Sequence, residues 1–187
     1  MKKIVLLGDS MRGIGYGYVV PGILGEGYEV WQPEENCRFA SYTLRMLFEY
    51  KDKIQGADVI HFNCGAWDIC DLFGDGPFTP YEAYEQTMLR IAGILLTYGK
   101  KVIFATTMFA APTNPHNHAE VIEEYNSRLV PKLREMGVII NDLCALTRDH
   151  LDEYIRTDDL IHLTEAGIAV CSEQVARMIR EQAETAN

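Results

Sequence analysis

The first ten residues of this chain constrain its fold more than any other stretch. An apolar run from Ile4 to Leu7 breaks at once into Gly8-Asp9-Ser10. A short apolar run that ends in a glycine turn indicates a strand buried on both faces, as in the centre of a parallel sheet. Residues that follow such a strand lie at the carboxyl edge of the sheet, where open α/β folds bind their ligands. Ser10 therefore occupies a position suited to a nucleophile.

Strand and helix patterns alternate along the rest of the chain. Apolar runs predict further strands at residues 28–32, 57–62, 101–107 and 138–143. Helical spacing predicts the longer helices at residues 41–54, 81–98, 119–136 and 164–183. This alternation predicts an α/β fold with helices on both faces of a parallel sheet, in an order such as 2-1-3-4-5. No repeat or linker interrupts it, so residues 1–187 are predicted to form one domain.

Polar turns mark where the sheet would bind a ligand. In the order 2-1-3-4-5 the switch point lies between strands one and three. Ser10 ends strand one, and Asn63 follows strand three in the turn Asn63-Cys-Gly-Ala-Trp-Asp. The two polar elements are therefore predicted to flank one crevice. The segment between Ser10 and Gly17 is predicted as a glycine-spaced loop, and Ser41 or Thr43 as the cap of the next helix.

Composition restricts the kinds of partner that this chain is predicted to bind. The chain has 27 acidic and 17 basic residues and a net charge of −10, so a nucleic-acid partner is not predicted. No run approaches the roughly 18 apolar residues of a membrane span. Five cysteines without a CxxC pair favour reduced thiols in a cytoplasmic protein, and no metal site is predicted. The sequence leaves the oligomeric state open, a homo-oligomer included.

Residues 157–167 contain a candidate base for Ser10. His162 lies in a loop, and Asp159 precedes it by three residues. Such a loop allows the Asp159 carboxylate to accept the imidazole Nδ1–H, which leaves Nε2 to take the serine proton. Asp158 is a competing orienting group that the spacing does not exclude. The alternative is that these residues only form the polar start of the last helix.

These two stretches together resemble a known family. Gly8-Asp-Ser10 and Asp159-Leu-Ile-His162 resemble the first and last blocks of the SGNH hydrolases, the GDSL-type esterases and lipases. The likeness spans nearly the whole chain, because the order of strands and helices also agrees. It implies a flavodoxin-like, three-layer α/β/α fold and a Ser-His-Asp hydrolase of esters. Ser10 would attack, His162 would carry the proton, Asp159 would orient His162, and no cofactor would take part.

The sequence departs from this family at the groups that hold the oxyanion. The family uses the serine N–H, a glycine N–H after strand two and an asparagine side chain after strand three. Here the second segment has no glycine, and Ser41 is the best match for its N–H donor. The turn after strand three has Trp67 where the family has asparagine, two residues after Gly65. Asn63 is predicted either to donate to the oxyanion beside Ser10 or to hold this turn.

The substrate is predicted to be a small-molecule or carbohydrate ester. The resemblance to the family implies acetyl esters as the narrower expectation. Arg38 is either a solvated side chain or a clamp for carboxylate or sugar hydroxyls. Gly65 and Trp67 complete the predicted substrate-binding set. Two alternatives stay open. One is a catalytically degenerate SGNH-fold protein that binds glycans. The other is a flavodoxin-like module that binds FMN or phosphate through the loop after Ser10.

Overall fold

The computed structural model describes residues 1–186 as one parallel sheet between two layers of helices. The strands found within this range are β1 (Lys2–Leu7), β2 (Tyr28–Trp31), β3 (Ala57–Asn63), β4 (Gly99–Ala105) and β5 (Ile139–Asn141). Their order is β2-β1-β3-β4-β5, and every neighbouring pair is parallel. The predicted fold class and strand order are therefore confirmed.

Helices connect the strands on both faces of the sheet. They are α1 (Gly17–Leu24), α2 (Ala40–Glu49), α3 (Lys51–Ile54), α4 (Ala66–Ile69), α5 (Tyr81–Tyr98), α6 (Ala119–Glu135), α7 (Leu143–Thr147), α8 (Leu151–Tyr154) and α9 (Glu165–Thr185). The segment predicted as a loop after Ser10 is instead a wide helical turn over Arg12–Tyr16 that leads into α1. No helix of residues 1–186 is long and apolar enough to cross a membrane.

The apolar run of β1 supplies both halves of the core. Val5 and Leu7 pack into one hydrophobic cluster with side chains of α2, α5 and α6. Ile4 and Leu6 pack into the second cluster with side chains of α1 and α9. Burial of such a side chain contributes about 1.5–3 kcal/mol. Because successive residues point to opposite faces, only a continuous apolar run satisfies both layers, which explains the sequence of this strand.

The start of α2 differs from the prediction. Neither Ser41 nor Thr43 caps this helix, since Ala40 is already helical and Phe39, just before it, makes no capping hydrogen bond with its side chain. The Ala40 N–H instead donates to the carboxylate of Asp68, at 2.9 Å, from beyond the end of β3. A carboxylate is favourable at a helix N-terminus because of the helix dipole. The sequence prediction failed because this cap comes from 28 residues away.

Candidate active site

Two neighbouring strand ends form the floor of the site. Leu7 of β1 lies opposite Phe62 of β3 in the parallel register, so both chains leave the sheet at the same edge. Ser10 begins the helical segment that follows β1, and α4 begins just after β3. The crevice predicted between strands one and three therefore exists at the carboxyl edge of the sheet.

A row of hydrogen bonds joins the two ends of the chain. The Oγ of Ser10 lies 2.8 Å from Nε2 of His162, although the two residues are 152 positions apart. On the other side of the ring, Nδ1 of His162 lies 2.9 Å from Oδ2 of Asp159. Both distances fit good hydrogen bonds. A serine, an imidazole and a carboxylate are thus in the order that nucleophilic catalysis by serine requires.

A tight loop positions this imidazole. The Arg156 N–H donates to the His162 carbonyl at 2.8 Å, and the Leu160 N–H donates to the Arg156 carbonyl at 3.1 Å. Leu160 has a left-handed φ of 64°, which costs a residue with a branched side chain about 1–3 kcal/mol. The carbonyl of Leu160 accepts from the Ala111 N–H at 2.8 Å and from the Asn114 side chain at 3.2 Å. These bonds hold the loop in the strained conformation.

The same loop stabilises the charge on Asp159. Its Oδ1 accepts the N–H of His162 at 2.9 Å and that of Ile161 at 3.1 Å. Partial desolvation acts to raise the pKa of Asp159, but these N–H groups and the imidazole outweigh it and lower the pKa to about 2. Asp159 is therefore ionised at neutral pH. The competing residue Asp158 is exposed and pairs with the guanidinium of Arg156 instead.

Beneath Ser10 lies a buried polar chain. Asp9 is 1 % exposed, and its Oδ1 accepts from the Met11 N–H at 2.9 Å and from Nδ2 of Asn63 at 2.7 Å. The Oδ1 of Asn63 in turn accepts from the Tyr16 hydroxyl at 2.7 Å. Burial raises the pKa of Asp9, and these donors and nearby charges oppose the rise. A Cβ on Gly8 would come within 1.9 Å of the Asn63 Oδ1, so this close contact requires glycine.

Hydrogen bonds of Arg12 connect the segment that contains Ser10 to the loop after β2. Its guanidinium is 2 % exposed and donates to the carbonyls of Pro33 and Glu35, both at 2.8 Å. It also donates to the Gly8 carbonyl at 3.3 and 3.4 Å and to the side chain of Gln32 at 3.1 Å. Arg12 thus has a structural set of partners, all of them neutral.

A cleft of about 330 Å³ opens beside Ser10 and His162. Apolar side chains make up most of its lining: Phe39, Ala66, Trp67, Leu72, Phe78 and Ile161, with Cys70 and Asn117. Trp67 is thus the member of the predicted substrate-binding set that the structure places in this lining. The sequence reasoning missed Phe39 and Phe78, because neither has a local pattern that distinguishes a cleft residue from any other aromatic side chain.

The other predicted site residues lie near the cleft but outside its lining. Ser41 is exposed in the first turn of α2. Arg38 has a left-handed φ of 49°, and its guanidinium lies over the Tyr42 ring, 5.0 Å from the centroid. Gly65 packs beneath the cleft, where a Cβ would come within 2.3 Å of the Thr107 hydroxyl oxygen. Among residues 1–186, no three His, Cys, Asp or Glu side chains form a group that could hold a metal ion.

Comparison with known proteins gives a match in structure alone. No family model and no curated protein match the sequence. A lipase/acylhydrolase from Enterococcus faecalis is 19 % identical with a TM-score of 0.79, over 97 % of both chains. An acetylxylan esterase from Geobacillus stearothermophilus is 19 % identical with a TM-score of 0.76, over 97 % of this chain and 94 % of the other.

A third similar structure extends the same pattern. A member of the lipolytic G-D-S-L family from Veillonella parvula DSM 2008 is 15 % identical with a TM-score of 0.76, over 96 % of this chain and 99 % of the other. At these identities the likeness concerns the fold, and it extends over nearly the whole length of each protein. The chain therefore has the three-layer fold of the GDSL-type lipases and esterases, which the blocks around Ser10 and His162 resemble in sequence.

Proposed function

We propose that this protein is a serine esterase that hydrolyses carboxylic esters through an acyl-enzyme. The observation that carries the proposal is the hydrogen-bonded row of Ser10, His162 and Asp159 at the mouth of a cleft. The fold it shares with lipases and esterases supports the same reading. Neither a flavodoxin-like role nor a purely structural one accounts for a serine, an imidazole and a carboxylate in this order.

We assign to each member of the row the role that its position supports. His162 Nε2 takes the proton from the Ser10 hydroxyl as Oγ forms a bond to the ester carbonyl carbon. The imidazolium then returns that proton to the leaving alcohol as the carbon–oxygen bond breaks. In the second step the same imidazole takes a proton from water as the water oxygen forms a bond to the acyl carbon. It then gives this proton to the Ser10 Oγ as the bond between Oγ and that carbon breaks, which releases the acid. Asp159 holds the ring in position through Nδ1 and stabilises its positive charge in both steps.

The oxyanion that forms in each step requires N–H donors. The N–H of Ser10 belongs to the first turn of a helical segment, where N–H groups have no carbonyl partner within the helix. We keep the Ser41 N–H and the Asn63 side chain as further proposed donors, since Nδ2 of Asn63 carries a second hydrogen besides the one given to Asp9. If Asn63 acts in this way, Asn63→Ala lowers kcat by about 10²–10³-fold. If Asn63 only holds the turn, the variant loses stability and keeps most of its kcat.

The proposed substrate is a small ester, and a carbohydrate-linked acetyl ester is the narrower candidate. The likeness in fold to an acetylxylan esterase supports the narrower candidate. The binding roles of Arg38, Gly65 and Trp67, a cytoplasmic location and a homo-oligomer stay predictions from the sequence. A catalytically degenerate protein that binds glycans is the rival, because the family glycine and asparagine of the oxyanion hole are missing.

Labelling with a fluorophosphonate probe separates the esterase from this rival. We expect the probe to modify Ser10, as located by peptide mapping, and Ser10→Ala to lose both the label and the hydrolysis of p-nitrophenyl acetate. Ser127→Ala is a matched control, since its exposed hydroxyl donates only to the Glu124 carbonyl in its own helix. A folded protein that takes up no label and hydrolyses no ester would contradict the proposal.

A further inference from the structure

Three rings line one side of the cleft, and we call Phe39, Trp67 and Phe78 the aromatic wall. Phe39 and Phe78 are stacked, with centroids 4.8 Å apart and ring planes 21° apart. Trp67 meets Phe39 edge on, at 5.3 Å and 79°. Stacked and edge-to-face arrangements are both favourable for aromatic pairs. The three rings therefore form one continuous apolar surface beside Ser10 and His162.

One buried residue holds the three segments that carry these rings. Asp68, which is 0 % exposed, accepts the N–H of Ala40, the residue directly after the first ring, at 2.9 Å. Asp68 itself directly follows the second ring in the chain. Its backbone carbonyl accepts the N–H of Thr79, the residue directly after the third ring, at 2.9 Å. Asp68 therefore fixes the positions of the three rings of the aromatic wall relative to one another.

The cleft offers few polar partners to a bound molecule. Apart from Ser10 and His162, its side chains with a hydrogen-bonding group are Cys70, Asn117 and Trp67, the last through its indole N–H. The Nδ2 of Asn117 already donates to the Ala66 carbonyl, at 2.8 Å. None of the lining side chains carries a carboxylate, an ammonium or a guanidinium group. Sugar hydroxyl groups that turned toward this lining would find few hydrogen-bond partners, which is costly.

We infer that the substrate carries an uncharged apolar group, the size of one ring or a short alkyl chain, that binds against the aromatic wall. The lining of the cleft thus favours such a group over the carbohydrate-linked ester that the likeness in fold supports. This inference rests on the proposed esterase function and names its substrate class. The cleft, at about 330 Å³, lies at the low end of the roughly 300–1,000 Å³ of ligand sites. Trp67 is 39 % exposed and Phe78 is 51 % exposed, so contact with an apolar group removes apolar surface from water.

Esters with matched leaving groups test this substrate class. Benzyl acetate, methyl acetate and methyl 6-O-acetylglucoside compare alcohols of similar acidity, and methyl butyrate extends the acyl half instead. We expect kcat/KM for benzyl acetate or for methyl butyrate to exceed that for methyl acetate and for the acetylated sugar at least tenfold. The better of the two apolar esters shows which half of the substrate contacts the aromatic wall. Equal rates across the panel, or a preference for the sugar ester, would overturn the inference.

Variants of the aromatic wall locate the effect. Trp67→Ala and Phe78→Ala are each expected to lower the ratio of kcat/KM for the preferred apolar ester to that for methyl acetate at least fivefold. Phe73→Ala is the matched control. This ring lies on the same loop as Phe78, between α4 and α5, but it is 81 % exposed and is outside the cleft lining. An unchanged ratio in both wall variants would assign any preference to another surface and overturn the inference.

Labelling of the same preparations keeps the two proposals apart. A protein whose Ser10 takes up the fluorophosphonate, but which shows no preference for apolar esters, retains the proposed function and loses this substrate class. A folded protein that takes up no label and hydrolyses none of the esters loses the proposed function, and the inference falls with it. Thermal unfolding followed by circular dichroism checks that each variant is folded.

Discussion

The cleft is bordered by two regions that are built in different ways. On one side lies the histidine loop, residues 156–162, in which the orienting contacts of Asp159 join residues two or three positions apart. On the other side lies the anchor region around Arg12 and Asp68, where several contacts join residues 20 to 28 positions apart. The orientation of the imidazole by Asp159 is thus encoded locally, whereas the contact of His162 with Ser10 and the surface that would receive the substrate depend on the completed fold.

The two regions also shift the pKa of an aspartate in opposite directions. Asp159 is part-exposed and receives several donors on its charged form, so its pKa falls to about 2. Burial raises the pKa of Asp68 to about 6, although the Thr79 hydroxyl and the Ala40 N–H oppose the rise. The local environment therefore decides whether an aspartate is a permanent charge or a buried group that costs stability when ionised.

The largest expected effect comes from a substitution in the histidine loop. Asp159→Asn removes the charge that stabilises the imidazolium and changes the tautomer of His162. We expect kcat for p-nitrophenyl acetate to fall by about 10³–10⁴-fold. Steady-state kinetics measures the loss, and urea unfolding shows whether the fold persists. A fall of less than tenfold would show that Asp159 does not act through the imidazole.

The second prediction tests the anchor region through pH. The pKa of Asp68 in the folded protein lies above its ordinary value of 3.8, so the folded state binds this proton more tightly than the unfolded chain. Well below pH 4 both states hold the proton, and well above pH 6 both have released it. From this group, the free energy of unfolding falls by about 2 kcal/mol between pH 4 and pH 7.

Asp68→Asn is expected to remove this part of the pH dependence. Urea unfolding of the protein and the variant at pH 4 and pH 7 measures it, and Asp52→Asn, an exposed substitution on α3, is the control. The difference in the free energy of unfolding between pH 4 and pH 7 should change by about 2 kcal/mol in Asp68→Asn alone. Identical profiles in all three proteins would show that Asp68 ionises without such a cost.

The third prediction breaks the contact between the segment of Ser10 and the loop after β2. Arg12→Met leaves the buried carbonyl of Pro33 and the part-buried carbonyl of Glu35 without their charged donor. We expect the free energy of unfolding to fall by about 2 kcal/mol, as for other buried groups that lose a partner. Arg177→Met, on the exposed face of α9, is the matched control and should change stability by less than about 0.5 kcal/mol.

The smallest effect is expected for Asp158→Asn. Its side chain is exposed and contacts Arg156, not the imidazole. We expect kcat to stay within about threefold of the original, since surface pairs of this kind contribute about 0–1 kcal/mol. Paired with Asp159→Asn, this variant sharpens the comparison between adjacent carboxylates. Equal losses of activity in both variants would show that the assignment of Asp159 as the orienting group is wrong.

What the sequence predicts correctly follows the same division between local and long-range contacts. The strand of β1 and the juxtaposition of Asp159 with His162 depend on patterns within a few residues, and the sheet order follows the alternation of strands and helices, so the sequence alone predicts them. The capping of α2 by Asp68 and the carbonyl partners of Arg12 depend on chain segments that meet only in the folded protein. Local spacing carries no information on such contacts, and for this reason the cap was wrongly assigned to Ser41 or Thr43.

The separation of 152 positions between Ser10 and His162 has a consequence for biosynthesis. During synthesis from the N-terminus, the nucleophile leaves the ribosome long before its base, and the whole sheet has to close before the two meet. A nascent chain or a fragment that ends before residue 156 therefore has a serine without a catalytic partner. Hydrolytic activity in this protein would report that the chain has been synthesised and folded from Ser10 through His162.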